Sequence, residues 1–352
     1  MSTATSFKSR MGFIIFALML HAFCAALVSG GLMRIYHMAV AYEYSSPEYA
    51  ARRVLALFQE GQYAEILRKS GVTLSEFETP EDFGLVVKKR YGDSFTLERT
   101  GADSWRILGA GKPVAELDLL CKKGGGKFGL DIWSTERLSL TIPKPESYTV
   151  QSPHSVVLTV NGKALDNRYL AEHDEAVQSP FGELPEALAP KASLTYDIAG
   201  LYAPPVITGK GQNGADCRIA QFENNYSVTL LPDESLVAQL SVFGEQAACA
   251  YAKFITNDVT LDEVLPYFLP EAPYYTHLKQ FYNGWYNAHD AYAFKNVVFS
   301  DWSAYDESHV SCDIAFDYWI KMGRREFTYP SRYTMYFVKG NNGWRVANLL
   351  VR

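Results

Sequence analysis

At 352 residues the chain exceeds one ordinary core of about 100 to 200 residues, so two or three folded units are expected. Hydrophobic residues make up 48% of it, with 23 Tyr and 20 Phe, which is enough apolar material for real cores and the opposite of a disordered composition. A net charge of −6 without a long basic run lacks the electrostatic footprint of a nucleic-acid binder, so no nucleic-acid partner is expected.

Residues 12–33, GFIIFALMLHAFCAALVSGGLM, contain no acid or base except His21. A helix needs about 20 apolar residues to cross the hydrocarbon layer, so the sequence predicts a transmembrane helix over 12–33 behind a short tail, 1–11. A buried core helix is disfavoured because the run is apolar all round. A cleaved signal peptide is the other alternative, with Val28, Ser29 and Gly30 as small residues at a cleavage position, but the run is long for a signal. Phe23 before Cys24 makes a poor lipoprotein signal. Lys8 and Arg10 precede the span and Arg34 is the one base close behind it, so the positive-inside rule places the tail in the cytoplasm and the remainder across a cell membrane. The lipid bilayer is therefore an expected partner.

Beyond the anchor, Ser46-Pro47-Glu48 reads as a helix start, followed by the apolar positions Val54, Leu55, Leu57 and Phe58. The pattern breaks at Gly61, resumes through Tyr63, Ile66 and Leu67, and stops at Gly71; Thr79-Pro80-Glu81-Asp82 opens a third helix. Short alternating runs separated by glycines follow, predicting an α+β domain over 46–145. The glycines 124–126 read as a hairpin turn, since no GK[ST] follows them. A β-rich domain is expected over 146–235, with a two-residue hairpin at Asn161-Gly162 and a flexible turn over 209–214. Helices are then predicted over 240–255, 260–268 and 274–288, and strands over 293–302, 309–320, 327–338 and 344–351. In the second of these strands Val310, Cys312, Ile314, Phe316, Tyr318 and Ile320 share one face. Gly340-Asn341-Asn342-Gly343 makes the last turn.

The order of three helices then four strands, ending in YTMYFVKGNNGWRVANLLVR, resembles nuclear transport factor 2-like domains, in which a curved sheet wraps a long helix into a cone. The resemblance covers 240–352 and, more loosely, 46–145. It implies an α+β fold with two cone-shaped units flanking the β-rich domain, similar in layout to membrane-anchored envelope proteins of the teicoplanin-resistance-associated type. It also implies an extracytoplasmic, single-pass protein of the bacterial cell envelope, with a cell-wall or envelope protein or glycan as partner.

Chemistry is sparse. Enzymes built on such cones hold an acid-base group inside, and His289, Asp290, Asp313 and Asp317 are the clustered ionisable candidates. Asp313 and Asp317 fall on the face opposite the apolar one, so they read as solvated and no catalytic residue is assigned. Cys24, Cys121, Cys217, Cys249 and Cys312 form no CxxC pair and no two histidines have i, i+4 spacing, so no metal or cofactor is expected. The last four cysteines read as single buried thiols, with pairing after export as the alternative. The aromatic cluster Phe281, Tyr282, Trp285 and Tyr286 reads as core packing or as a ligand-binding wall. A non-catalytic binding or scaffold role is the expectation, with a membrane-tethered enzyme as the alternative.

Overall fold

The computed structural model describes residues 4–171, 179–281 and 288–352. They fall into two compact units, Met1–Lys144 and Pro145–Arg352. The apolar N-terminal run lies in one continuous helix, α1 (Ala4–Tyr44). From Phe13 to Tyr44 it is long and apolar enough to cross a membrane, and its most apolar window has no residue buried against the protein. Phe16, Leu20, Phe23, Leu27 and Leu32 all face outward. A core helix hides such residues; this one leaves them for another apolar phase. The helix outruns the expected 12–33 because no proline interrupts the chain before Pro47, and it carries Arg34, Tyr36, Tyr42 and Tyr44 beyond the apolar stretch.

Three helices follow as the sequence signals predict. In α2 (Pro47–Gln59) Ser46 Oγ accepts from the Tyr49 N–H at 3.1 Å. Helix α3 (Tyr63–Ser70) ends on Gly71 at φ 70, and α4 (Pro80–Tyr91) opens with a capping box between Thr79 and Asp82. They pack on a meander of β1 (Phe95–Arg99), β2 (Ser104–Gly109), β3 (Lys112–Lys122) and β4 (Ile132–Leu140), each strand antiparallel to its neighbour. Phe58, Ile66 and Phe83 from the helices, and Ile107, Leu117 and Leu138 from the sheet, are buried. The glycines 124–126 lie in the β3–β4 turn, which continues as a 3-10 turn, Lys127–Gly129.

The second unit is built on one large curled sheet. The N-terminal part of the unit supplies β5 (Glu146–Ser152), β6 (Val156–Val160), β7 (Lys163–Ala164), β8 (Leu194–Leu201), β9 (Ile207–Gly211), β10 (Cys217–Phe222) and β11 (Asn225–Leu230), of which β6, β7 and β9 form a separate three-stranded sheet in the order β7-β6-β9. Asn161 (φ 50) and Gly162 (φ 80) form the expected tight β6–β7 turn. The expected flexible turn over 209–214 is narrowed to 212–214: Gly209–Gly211 belong to β9, where a side chain on Gly209 would crowd Leu158 and Val156 at 3.1 Å. Helices α5 (Glu234–Ile255), α6 (Leu261–Val264) and α7 (Pro273–Gln280) come next. Helix α5 starts ahead of the expected 240, because Asp233 accepts from the Leu236 N–H at 2.8 Å. Strands β12 (Ala291–Asp306), β13 (His309–Met322), β14 (Arg325–Gly340) and β15 (Gly343–Val351) complete the unit.

Strands of the expected 146–235 and 240–352 segments share the eight-stranded sheet, whose path runs β15-β14-β13-β12-β11-β5-β8, with β10 on β11. The join is narrow, Leu230 opposite Ala304. Val310, Cys312, Ile314, Phe316, Tyr318 and Ile320 are all buried, on the face the alternation predicts. Strand β12 bends where Asn296 (φ 54) and Asp301 (φ 53) coincide with shifts in its pairing to β13, and such bulges curl a sheet. All five cysteines are free thiols.

One histidine pins the segment 179–191 to this sheet. Phe181 is fully buried, edge-on to Tyr305, His309 and Tyr336. His309 places Nε2 2.9 Å from the Leu188 carbonyl and Nδ1 2.7 Å from Asp306 Oδ1. Burial pushes the Asp306 carboxyl up, but the His309 bond, the N–H groups of Ser308 and Lys191 and the His309 charge outweigh it and hold it below its ordinary value. A carboxyl lowered on folding adds stability that is complete above its unfolded pKa and is lost as pH falls through the folded one. Hydrogen exchange in 179–191 is therefore expected to accelerate relative to β13 as pH drops below about 4, the ordinary Asp value. Asp306→Asn should remove that pH step and cost about 1.5–3 kcal/mol at neutral pH.

Candidate ligand-binding face

Strands β10, β11, β5 and β8 lie side by side, with β11 parallel to β5 and the other pairs antiparallel. Their register aligns residues across all four strands. One row runs Phe222, Asn225, Thr149, Asp197; the next runs Ala220, Ser227, Gln151, Thr195. Side chains alternate across a strand, so both rows share a face while Tyr226, Val150 and Tyr196 turn inward and are buried. Burial pushes the Tyr196 and Tyr226 hydroxyls up, which keeps those inner phenols neutral.

The outer face forms an open cavity of about 700 Å³. Ala171 borders it, held by its N–H to the Thr195 carbonyl at 2.9 Å. Thr149 Oγ1 donates to Asp197 Oδ1 at 3.1 Å, and Gln221 Nε2 donates to the Glu223 carbonyl at 3.0 Å. The Phe222 ring stands at the rim, 75% exposed. The face thus offers amides, hydroxyls, one carboxylate and one bare aromatic ring.

The residues expected to carry chemistry lie elsewhere. Phe281 ends α7, half-exposed, with its ring 6.0 Å from that of Phe254; Tyr282, Trp285 and Tyr286 lie outside the described residues. Asp313 accepts from Arg332 Nη2 at 2.6 Å and Thr334 Oγ1 at 2.7 Å, and Asp317 accepts from Asn296 at 2.7 Å. Asp290 accepts from the Gly323 N–H at 2.6 Å. Three of the expected ionisable candidates are therefore engaged in holding β-strands and turns.

His289 differs. Its Nε2 lies 3.1 Å from Asp258 Oδ1, and Asp258 Oδ2 lies 2.7 Å from Tyr318 Oη and 2.5 Å from Thr256 Oγ1. Both the His289 and Asp258 side chains are largely buried. Burial, with Asp258 beside it, pushes the Tyr318 phenol up despite the Thr256 hydroxyl. This cluster ties the end of α5 to the sheet. Its members lie far apart in sequence, so only His289 was visible as a candidate.

No family model matches the chain, and no curated protein matches it. One solved structure that part of the chain is similar to is a putative aromatic ring hydroxylase from Novosphingobium aromaticivorans. The match is 14% identical, covers 33% of this chain and 94% of that one, and has a TM-score of 0.24. At that score the likeness carries neither fold nor chemistry.

Proposed function

We propose that the chain is a single-pass, membrane-anchored, extracytoplasmic binding or scaffold protein of the bacterial cell envelope, and that the face on β10, β11, β5 and β8 holds its ligand without turning it over. The two aligned polar rows over an open cavity of about 700 Å³ carry this reading. Amide and hydroxyl groups beside one carboxylate suit a neutral, hydroxyl-rich ligand, and an exposed ring at the rim gives a sugar ring a surface to stack on. A cell-wall glycan fits that chemistry. The orientation rests on Lys8 and Arg10 ahead of the span, and the envelope setting and cone-shaped, nuclear transport factor 2-like units rest on the resemblance.

Full-length protein in lipid nanodiscs, titrated with soluble cell-wall glycan strands, is expected to bind measurably. Gln151→Ala and Asn225→Ala should each weaken binding about tenfold, the worth of one well-made hydrogen bond to ligand. Undiminished binding by both folded variants would move the ligand off this face.

A membrane-tethered enzyme is the second reading, favoured by the convergence of Asp258, His289 and Tyr318. Against it, Asp258 already accepts from two hydroxyls, which leaves little of the carboxylate for a substrate. An Asp258→Asn protein that is folded and abundant in the membrane, yet behaves in cells like a deletion, would favour the enzyme.

A further inference from the structure

We propose that the β3–β4 turn is a second membrane contact, a lysine-and-phenylalanine tip that rests on anionic phospholipid headgroups beside α1. This rests on α1 spanning the bilayer as proposed above. The 3-10 turn Lys127–Gly129 touches α1, as does α2. Beyond Ala17, the residues of α1 that lose full exposure up to its end are Val40 and Ala41. They lie past Met33 by about 10 Å at the helical rise, and Tyr36, Tyr42 and Tyr44 are exposed around them. Tyrosines mark the water–lipid boundary, whose headgroup layer adds about 5–8 Å on each side of the hydrocarbon. The helix thus holds the turn at the outer edge of the headgroup layer, from where long lysine side chains reach back to the phosphates.

Its composition suits that position. Lys122, Lys123 and Lys127 are exposed and none forms an ion pair among the described residues. The one acid in the turn, Asp131, accepts from the Gly124 N–H at 2.9 Å, so cations predominate there. Leu120, Phe128 and Ile132 are 54%, 50% and 43% exposed. Lys122 pairs with Ile132 across the hairpin, so a cation and an apolar side chain share its outer face. Phe128 holds φ 58, a left-handed conformation that bulky residues avoid, while its ring stays half outside. In water alone Gly or Asn serves that position better; an aromatic ring gains there only from an apolar boundary.

The test is hydrogen exchange over 120–132 in the full-length protein, in nanodiscs of phosphatidylcholine alone, in nanodiscs with added phosphatidylglycerol, and in neutral detergent. Exchange should slow with phosphatidylglycerol by about fivefold for each lysine engaged, and the slowing should fade at high salt. Substituting all three lysines by glutamine should erase the lipid dependence while the meander stays folded. Phe128→Gly should relieve the turn, raising the thermal midpoint in detergent, yet reduce its protection in nanodiscs. Equal exchange in both nanodiscs, with α1 still resisting alkaline extraction, would overturn the contact alone. Release of the protein by alkaline extraction would instead overturn the anchor on which it rests.

Discussion

Leu20→Arg together with Leu27→Arg is expected to release the protein from membranes into the alkaline-soluble fraction. Both side chains are exposed on α1, which buries nothing of its apolar window against the protein, so neither arginine finds a partner inside the fold. Each exchange replaces a favourable leucine by a charge and costs about 3 kcal/mol of insertion near the middle of a span, so the pair costs about 6 kcal/mol. That exceeds what tilting or side-chain snorkelling recovers for two central charges. Retention of the doubly substituted protein in carbonate-washed membranes would show that α1 is not what holds it there.

The second large effect is on the core of the unit Pro145–Arg352. Phe337→Ala is expected to lower its thermal midpoint by roughly 6–20 °C, because emptying a phenylalanine site costs about 3–5 kcal/mol and a unit of this size loses about 2–4 °C per kcal/mol. Phe337 is completely buried on β14. It packs edge-on to Phe243 of α5 and reaches the one place where that helix has no side chain, Gly244. No small rearrangement refills such a gap, since a rigid helix and a sheet frame it. Phe222→Ala, on the open rim, removes as many atoms and should leave the midpoint nearly unchanged. Calorimetry in detergent compares the two, and a similar loss from both would mean that the interior is not packed as described.

What the sequence made legible was local. Ser46, Thr79 and Gly71 mark helix ends through hydrogen bonds or backbone angles that depend on the residue itself, and the structure reproduces them. The alternation of Val310 through Ile320 is legible for the same reason, since one buried face repeats every second residue. Asp233 is a cap of the same readable kind, set ahead of the apolar face that begins at Leu240. The candidate binding face was not legible. Thr149 and Gln151 look like ordinary outward positions until β11 is known to pair with β5, and nothing local in either strand encodes a partner beyond the whole of 153–224. The grouping of His289 with Asp258 and Tyr318 was hidden likewise, because it depends on how the sheet curls around α5.

The parallel pairing of β5 with β11 also sets a timetable for the ribosome. The meander β1–β4 closes through neighbouring hairpins and can form as each strand emerges. Strand β5 cannot: one of its edges waits for β8, and the other for Asn225–Ser227, at the far end of a long excursion. At synthesis rates of about 5–20 residues per second, that edge stays bare for roughly 4–15 s. Val150 and Tyr148, destined for the interior, are uncovered for the same interval. Long-range strand pairing is slow and prone to capture by other chains. A nascent chain of this protein thus has its most adhesive moment in mid-synthesis, when a holding chaperone at the ribosome or the translocation exit matters most.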